Sequence, residues 1–174
     1  MARVIIIGLL VFAAIAGIAM YYLQVYAFYE EVEPAESGNV QLTALATGLP
    51  EPIEVSGFEA IDSISAPIRY RACFETAENL DALSEAYAPY ETAEPLNGPG
   101  WFDCYDAQEA GEALEAGAAR AFLSVENVQY GIDRVAVIFP DGRGMVWHQI
   151  NRCGEVVFDG DPVPDDCPEP PAAN

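Results

Sequence analysis

Twenty-six consecutive residues near the N-terminus, Val4 to Tyr29, carry no charge. Twelve of them between Val4 and Val25 are Val, Ile, Leu or Phe. At the centre of a bilayer each of these contributes roughly −0.3 to −0.6 kcal/mol, about −4 to −7 kcal/mol together. A helix of that length rises about 39 Å, against a hydrocarbon core of roughly 30 Å. The segment therefore reads as a transmembrane helix that tilts, or whose end lies in the interface. Its aromatics suit that reading. Tyr21, Tyr22, Tyr26, Phe28 and Tyr29 gather at the C-terminal end, where amphipathic rings settle among lipid headgroups.

The flanks give the helix a direction. Arg3 precedes it, whereas Glu30, Glu31 and Glu33 follow it. The positive-inside rule then places the N-terminus in the cytoplasm and the rest of the chain outside. A cleaved signal peptide is the rival reading. Ala14-Ile15-Ala16 and Gly17-Ile18-Ala19 both have small-x-small spacing after an apolar stretch. Apolar character persists ten residues beyond Ala19, which favours an anchor. Ala13 and Gly17 also have the spacing of a helix-pairing motif, a common chance occurrence in Ala-rich helices.

The cysteines agree with export. Cys73, Cys104, Cys153 and Cys167 are an even set without a C-x-x-C pair. That spacing lacks the pattern of thioredoxin-like redox sites, c-type haem attachment and structural zinc. Two disulfides are expected in an oxidising compartment. Of three connectivities, Cys73–Cys104 and Cys153–Cys167 close the shorter loops. In the chain-entropy account each stabilises by roughly 3 kcal/mol.

Beyond the anchor the chain is acidic. All 28 Asp and Glu residues and six of the seven arginines lie at or after Glu30, and lysine is absent. A field of that sign repels nucleic acid and anionic headgroups, so nucleic acid is excluded as a partner. A basic partner or a cation suits it. Acidity also keeps a domain soluble. With 174 residues, the chain has room for the anchor and one domain of ordinary size.

The organisation follows from turns and periodicity. Residues 1–29 form the anchor, 30–39 an acidic juxtamembrane linker, 40–158 the folded domain and 159–174 an Asp/Pro-rich loose tail. Val40–Leu45 and Ile53–Val55 are strand candidates, with Pro50 and Pro52 breaking between them. Ile68–Phe74 alternates as a half-buried strand: Ile68, Tyr70, Ala72 and Phe74 face one way, Arg69, Arg71 and Cys73 the other. Thr76 caps a predicted helix to Tyr87, and Asp106 with Glu109 caps another to Ala116, ended by Gly117. Arg120–Val125 reads as a strand. Arg134–Phe139 and Met145–Ile150 flank Pro140-Asp141-Gly142-Arg143-Gly144 as a hairpin. The expected fold is α+β, with a largely antiparallel sheet and two or three helices behind the transmembrane helix.

Motifs of chemistry are sparse. His148 is the only histidine, so any His-dependent hydrolase would need it. Its place in a predicted strand, on a face with Val146 and Ile150, favours a structural role. Asp159, Asp161, Asp165 and Asp166 offer oxygen to calcium, but not at EF-hand spacing. A solvated tail is the plainer reading. Arg69 and Arg71, with Arg134 and Arg143, are candidates for an anion site; surface ion pairs are the ordinary alternative. Trp101, Phe102 and Tyr105, beside the Pro95–Gly100 loop, are candidates for a binding patch or for packing over a disulfide. No G-x-S-x-G elbow and no phosphate-binding glycine loop occurs. No cofactor is expected.

At Tyr22-Leu23-Gln24-Val25-Tyr26, Pro67-Ile68-Arg69-Tyr70-Arg71-Ala72-Cys73-Phe74, Pro99-Gly100-Trp101-Phe102-Asp103-Cys104 and Val146-Trp147-His148-Gln149, the chain resembles an uncharacterised bacterial family. Its members are short proteins with one N-terminal transmembrane helix. The likeness runs from the anchor to about Cys153 and implies architecture and location: an inner-membrane protein with a periplasmic domain. Some relatives bear the label histidine kinase. Such kinases have a phospho-accepting His on a helical hairpin and a separate ATP-binding domain. Here His148 lies in a predicted strand, and too few residues follow it.

Three functions are carried forward. The first is a non-enzymatic envelope protein that binds or assists another membrane or periplasmic protein. The second is an extracytoplasmic ligand- or ion-sensing domain. The third is a hydrolase dependent on His148.

Overall fold

A central strand of the domain is buried on both faces, and this sets the architecture. The computed structural model describes residues 2–34, 40–63 and 66–171. Strand β5 (Arg71–Glu75) lies inside a six-stranded antiparallel sheet with β1 (Glu30–Glu31), β4 (Ser56–Asp62), β6 (Arg120–Gln129), β7 (Ile132–Ile138) and β8 (Arg143–Ile150). The order across the sheet is β1-β4-β5-β8-β7-β6. A second, two-stranded sheet pairs β2 (Val40–Thr43) with β3 (Pro50–Ile53).

Side chains alternate across the large sheet and build two cores. Leu42, Tyr70, Ala72, Phe74, Phe122, Ile138 and Val146 share one cluster, which the small sheet and helix α2 (Leu80–Ala86) cover. Cys73, Phe102, Tyr105, Val135, Val137, Met145 and Trp147 share the other, beneath helix α3 (Ala107–Glu115) and the loop before it. Two layers on one sheet explain why Ala72, Cys73 and Phe74 are all buried. The alternation expected over Ile68–Phe74 is real, but the strand is not half-exposed. It begins at Arg71, because a turn returning Arg69 N–H to Ala66 O precedes it.

The N-terminal helix α1 (Ala2–Val25) buries none of its residues against the domain. Ile18 is 71% exposed and Leu10 65%. A helix apolar on every side, with none of its residues buried among the described residues, suits an apolar solvent. It is long and apolar enough to cross a membrane, features that a signal sequence shares.

The hairpin of β7 and β8 forms as expected, with Ile138 opposite Gly144. Gly142 takes φ +90° at its tip, a conformation glycine adopts without steric cost. Asp106 caps α3 by accepting from the N–H groups of Gln108 and Glu109, and Gly117 follows the helix at φ +66°. The Glu109 carboxylate does not close a capping box; it pairs with Arg143 instead.

Other expectations are corrected. Asn79, not Thr76, caps α2. Thr76 is drawn away because its hydroxyl donates to Glu54 O and accepts from Glu78 N–H. Pro50 and Pro52 lie within β3, where proline is tolerated at a sheet edge. Strand β4 and helix α4 (Arg152–Phe158) were not expected. Strand β6 extends four residues past Val125. Within the acidic linker, Glu30 and Glu31 pair with Asp62 and Ile61; residues 35–39 lie outside the described part.

The tail beyond Phe158 has no helix or strand among its described residues, yet it is not loose. Cys153–Cys167 ties it to α4, Arg152 pairs with Asp166, and the Tyr130 hydroxyl donates to Pro168 O at 2.9 Å. Helix α4 in turn packs backbone to backbone. A Cβ on Gly154 would overlap the carbonyl of Gly131. Gly154→Ala in the full chain is therefore expected to lower the unfolding free energy by about 3 kcal/mol, read from urea midpoints. Gly111→Ala, in open space on α3, should raise it by about 0.5–1 kcal/mol. Equal effects at the two sites would refute the close approach.

Candidate functional site

Four arginines were candidates for an anion site, and the fold separates them. Arg71 sits opposite Trp147 and Arg134 opposite His148 in the sheet register. Neighbouring positions on a strand point to opposite faces, so Arg71 and Arg134 enter different cores. Arg143 is at the hairpin end, bound to Glu109 and Asp141. Arg69 lies in the turn before β5, its guanidinium 5.7 Å from the Tyr29 ring centre.

Arg71 is 5% exposed. It donates to the backbone carbonyls of Ile68, Tyr70, Leu96 and Asn97 at 2.6–2.9 Å. Its guanidinium also faces the Tyr105 ring at 5.6 Å. Burial pushes its pKa below the usual value, while Tyr105, Tyr29 and Asp62 push it back. With its donors committed to carbonyls, Arg71 is a latch between β5 and the loop at Leu96–Asn97.

His148 belongs to the opposite face. Its ring stacks on Tyr70 at 4.7 Å, and Arg134 lies over the same Tyr70 ring at 4.4 Å. Nδ1 is 2.7 Å from Pro67 O, so the proton sits on Nδ1. Nε2 accepts from Arg134 Nε at 3.0 Å. Both ring nitrogens are thus engaged, which gives a proton-abstracting role no free lone pair. The pKa falls to about 4 through burial; the Pro67 carbonyl opposes this and the Arg134 charge reinforces it.

Trp101 has the most telling position. Its indole N–H donates to the carbonyl of Val25, the last residue of α1, at 2.7 Å. The ring stacks on Tyr26 at 5.8 Å and meets Tyr29 edge-on at 5.8 Å. Phe102, beside it, faces inward with Tyr105 over the Cys73–Cys104 bond. The expected aromatic patch therefore divides. Trp101 holds the end of the N-terminal helix, while Phe102 and Tyr105 pack beneath.

A cleft of about 820 Å³ opens beside Trp101. Glu31, Glu33, Phe58, Glu59, Trp101 and Asp103 line it. No arginine does. The segment after α1 forms one wall, β4 a second, and the disulfide-held loop a third. Phe58 and Glu59 were missed because β4 was missed. No group of three or more His, Cys, Asp or Glu among the described residues could hold a metal ion. Of the tail carboxylates, Asp166 pairs with Arg152.

Both disulfides join the expected partners, Cys73 with Cys104 and Cys153 with Cys167. They fit an oxidising, extracytoplasmic setting. A family of unknown function, DUF6446, matches residues 40–168. The chain belongs to this family. The DUF6446 domain thus takes in both disulfides, Trp101 and His148, and includes most of the tail that the sequence set apart. Neither a curated protein nor a solved structure matches the chain.

Protonation of His148 has a definite sign. An unfolded histidine takes its proton near pH 6.5, and His148 in the DUF6446 fold only near 4. The contribution to stability is full above pH 6.5 and is lost as pH falls towards 4. The slope is about 1.4 kcal/mol per pH unit, on the order of 3 kcal/mol in all. Between pH 7 and 4.5, unfolding free energy should fall more steeply in the native chain than in His148→Gln. Parallel curves would refute the burial of a neutral ring.

Proposed function

We propose that the chain is a non-enzymatic accessory protein of the bacterial envelope. The N-terminal helix anchors it in the inner membrane with its N-terminus in the cytoplasm, and the domain faces the periplasm. There it holds a basic segment of another membrane or periplasmic protein. The observation that carries this reading is the cleft. It is built partly from the segment that leaves α1, and its ionisable lining is Glu31, Glu33, Glu59 and Asp103. Uncompensated carboxylates around aromatic walls complement a cationic segment and speed its approach.

The sensing and hydrolase alternatives have weaker support. An anion sensor would need arginines with donors to spare, and Arg71 and Arg143 have theirs committed. A hydrolase would need His148 as a base, and Arg134 occupies its Nε2.

The test uses intact membranes. A photo-crosslinking residue at Glu33, on the cleft wall, should yield a discrete heavier adduct. The same residue at Leu49, an exposed turn position, should not. Glu59→Arg with Asp103→Arg should abolish the adduct by reversing the lining charge. Equal adducts from both positions, or an adduct that survives charge reversal, would sink the proposal.

A further inference from the structure

The contact between Trp101 and the end of α1 fixes more than a loop. The last carbonyls of a helix lack partners within it, and a domain residue 76 positions away satisfies the one at Val25. Tyr26 stacks on that indole, Tyr29 meets it edge-on, and Arg69 lies over Tyr29. The loop bearing Trp101 cannot swing freely. Cys104 is bonded to Cys73 in β5, and Arg71 binds the loop's upstream part at Leu96 and Asn97.

We infer that the Trp101 loop lies in the lipid headgroup layer of the bilayer that α1 enters, so that the domain rides on the membrane surface in one orientation. This rests on the anchored reading above. The 24-residue helix rises about 36 Å, against roughly 30 Å of hydrocarbon. Val25 then emerges at the boundary, and a ring bonded to its carbonyl shares that depth. Indole and phenol rings favour this layer, with an apolar body towards the chains and a polar tip towards water.

Lipid is the occupant because the surface continues the anchor. Tyr21 and Tyr22 are each 60% exposed, Tyr26 41% and Phe28 48%. They form one aromatic band with Trp101 around the end of α1. Arg69 is the basic residue of this band, in a chain with 28 acidic and six basic residues at or after Glu30. The docking is therefore aromatic in origin, and zwitterionic headgroups suit it better than anionic ones. The acidic cleft beside Trp101 then opens at the headgroup level.

Depth-dependent quenching tests this in the full chain, reconstituted in phosphatidylcholine vesicles. The two tryptophans divide the labour. Trp147 is 0% exposed, inside the domain core, and serves as an unquenched internal reference and a report on folding. Nitroxide at the headgroup should quench the Trp101 emission about two-fold more strongly than nitroxide at mid-chain. Trp101→Phe should remove the quenchable component and leave the Trp147 emission unchanged. Vesicles with a third of their lipid anionic should quench Trp101 less. If the chain floats with the vesicles and Trp101 is quenched at neither depth, the domain stands clear of the surface and the inference falls. If the chain does not float, the anchored reading fails as well.

Discussion

A guanidinium taken out of water must find donors' partners all around it, and in this domain backbone carbonyls supply them. Burying an unpaired charge costs several kcal/mol, and arginine does not escape by losing its proton. Arg71 therefore draws in the carbonyls of Ile68, Tyr70, Leu96 and Asn97. Two of these lie in its own approach to β5, and two lie in a loop some 25 residues away. Each carbonyl is held by the need of the others. Two residues further along the same strand, Cys73 adds a covalent tie to Cys104. The segment from Leu96 to Cys104 is thus fastened at both ends to one buried strand, and Trp101 lies between the fasteners.

The same commitment explains the chemistry of the surface. Arg134 is spent on Tyr70 and His148, Arg143 on Glu109 and Asp141, and Arg152 on Asp166. Few positive charges remain to offset the carboxylates outside. An acidic cleft results from where the arginines went as much as from where the acids are. Exposed ion pairs contribute little to stability, so the role of Arg143 is to join the hairpin tip to α3. His148 belongs with the interior arginines. Its neutral ring accepts the Arg134 proton donor and fills space against Tyr70.

Parts of this arrangement were legible in the sequence because they depend on local rules. The apolar run at Val4–Tyr29, the Pro140–Gly144 turn, the Asp106 cap and the Gly117 stop each carry their own signal over a few residues. So did the cysteine pairing, which followed loop length. Other parts were illegible because their cause is distant. Strand β4 reads Ser-Gly-Phe-Glu-Ala-Ile-Asp, and Gly57 at φ +59° with a register shift breaks its alternation. Helix α4 holds Gly154 in its first turn and Val156-Val157 near its end, a strand-like composition. It is nonetheless a helix, capped by Asn151, packed against Gly131 and tied to the tail by Cys153–Cys167. Thr76 looked like a cap until Glu54 supplied a better partner. The arginines of alternating Arg69 and Arg71 seemed to share a face, but a turn places Arg69 outside the strand. Trp101 was visible as a candidate, while its partner at Val25 was not, because no local pattern links residues 76 positions apart.

The packing around Val25 also bears on whether the N-terminal helix is kept. Cleavage after Ala16 or Ala19 would leave Tyr26, Tyr29 and the Val25 carbonyl attached to the domain, so their contacts with Trp101 suit either fate. The difference lies in what such cleavage would strand. The cleaved chain would then begin at Gly17 or Met20, with Met20, Tyr21, Tyr22 and Leu23 exposed to water, each at least 50% uncovered. A few hundred Å² of contiguous apolar surface on a soluble protein calls for a partner or a membrane. With α1 intact and spanning a bilayer, as proposed, the same side chains would lie at the headgroups. The proposed retention of the helix and the proposed docking of the Trp101 loop share one ground: Tyr21, Tyr22, Tyr26 and Phe28 stay largely exposed among the described residues, and a bilayer that covered the helix would cover them too.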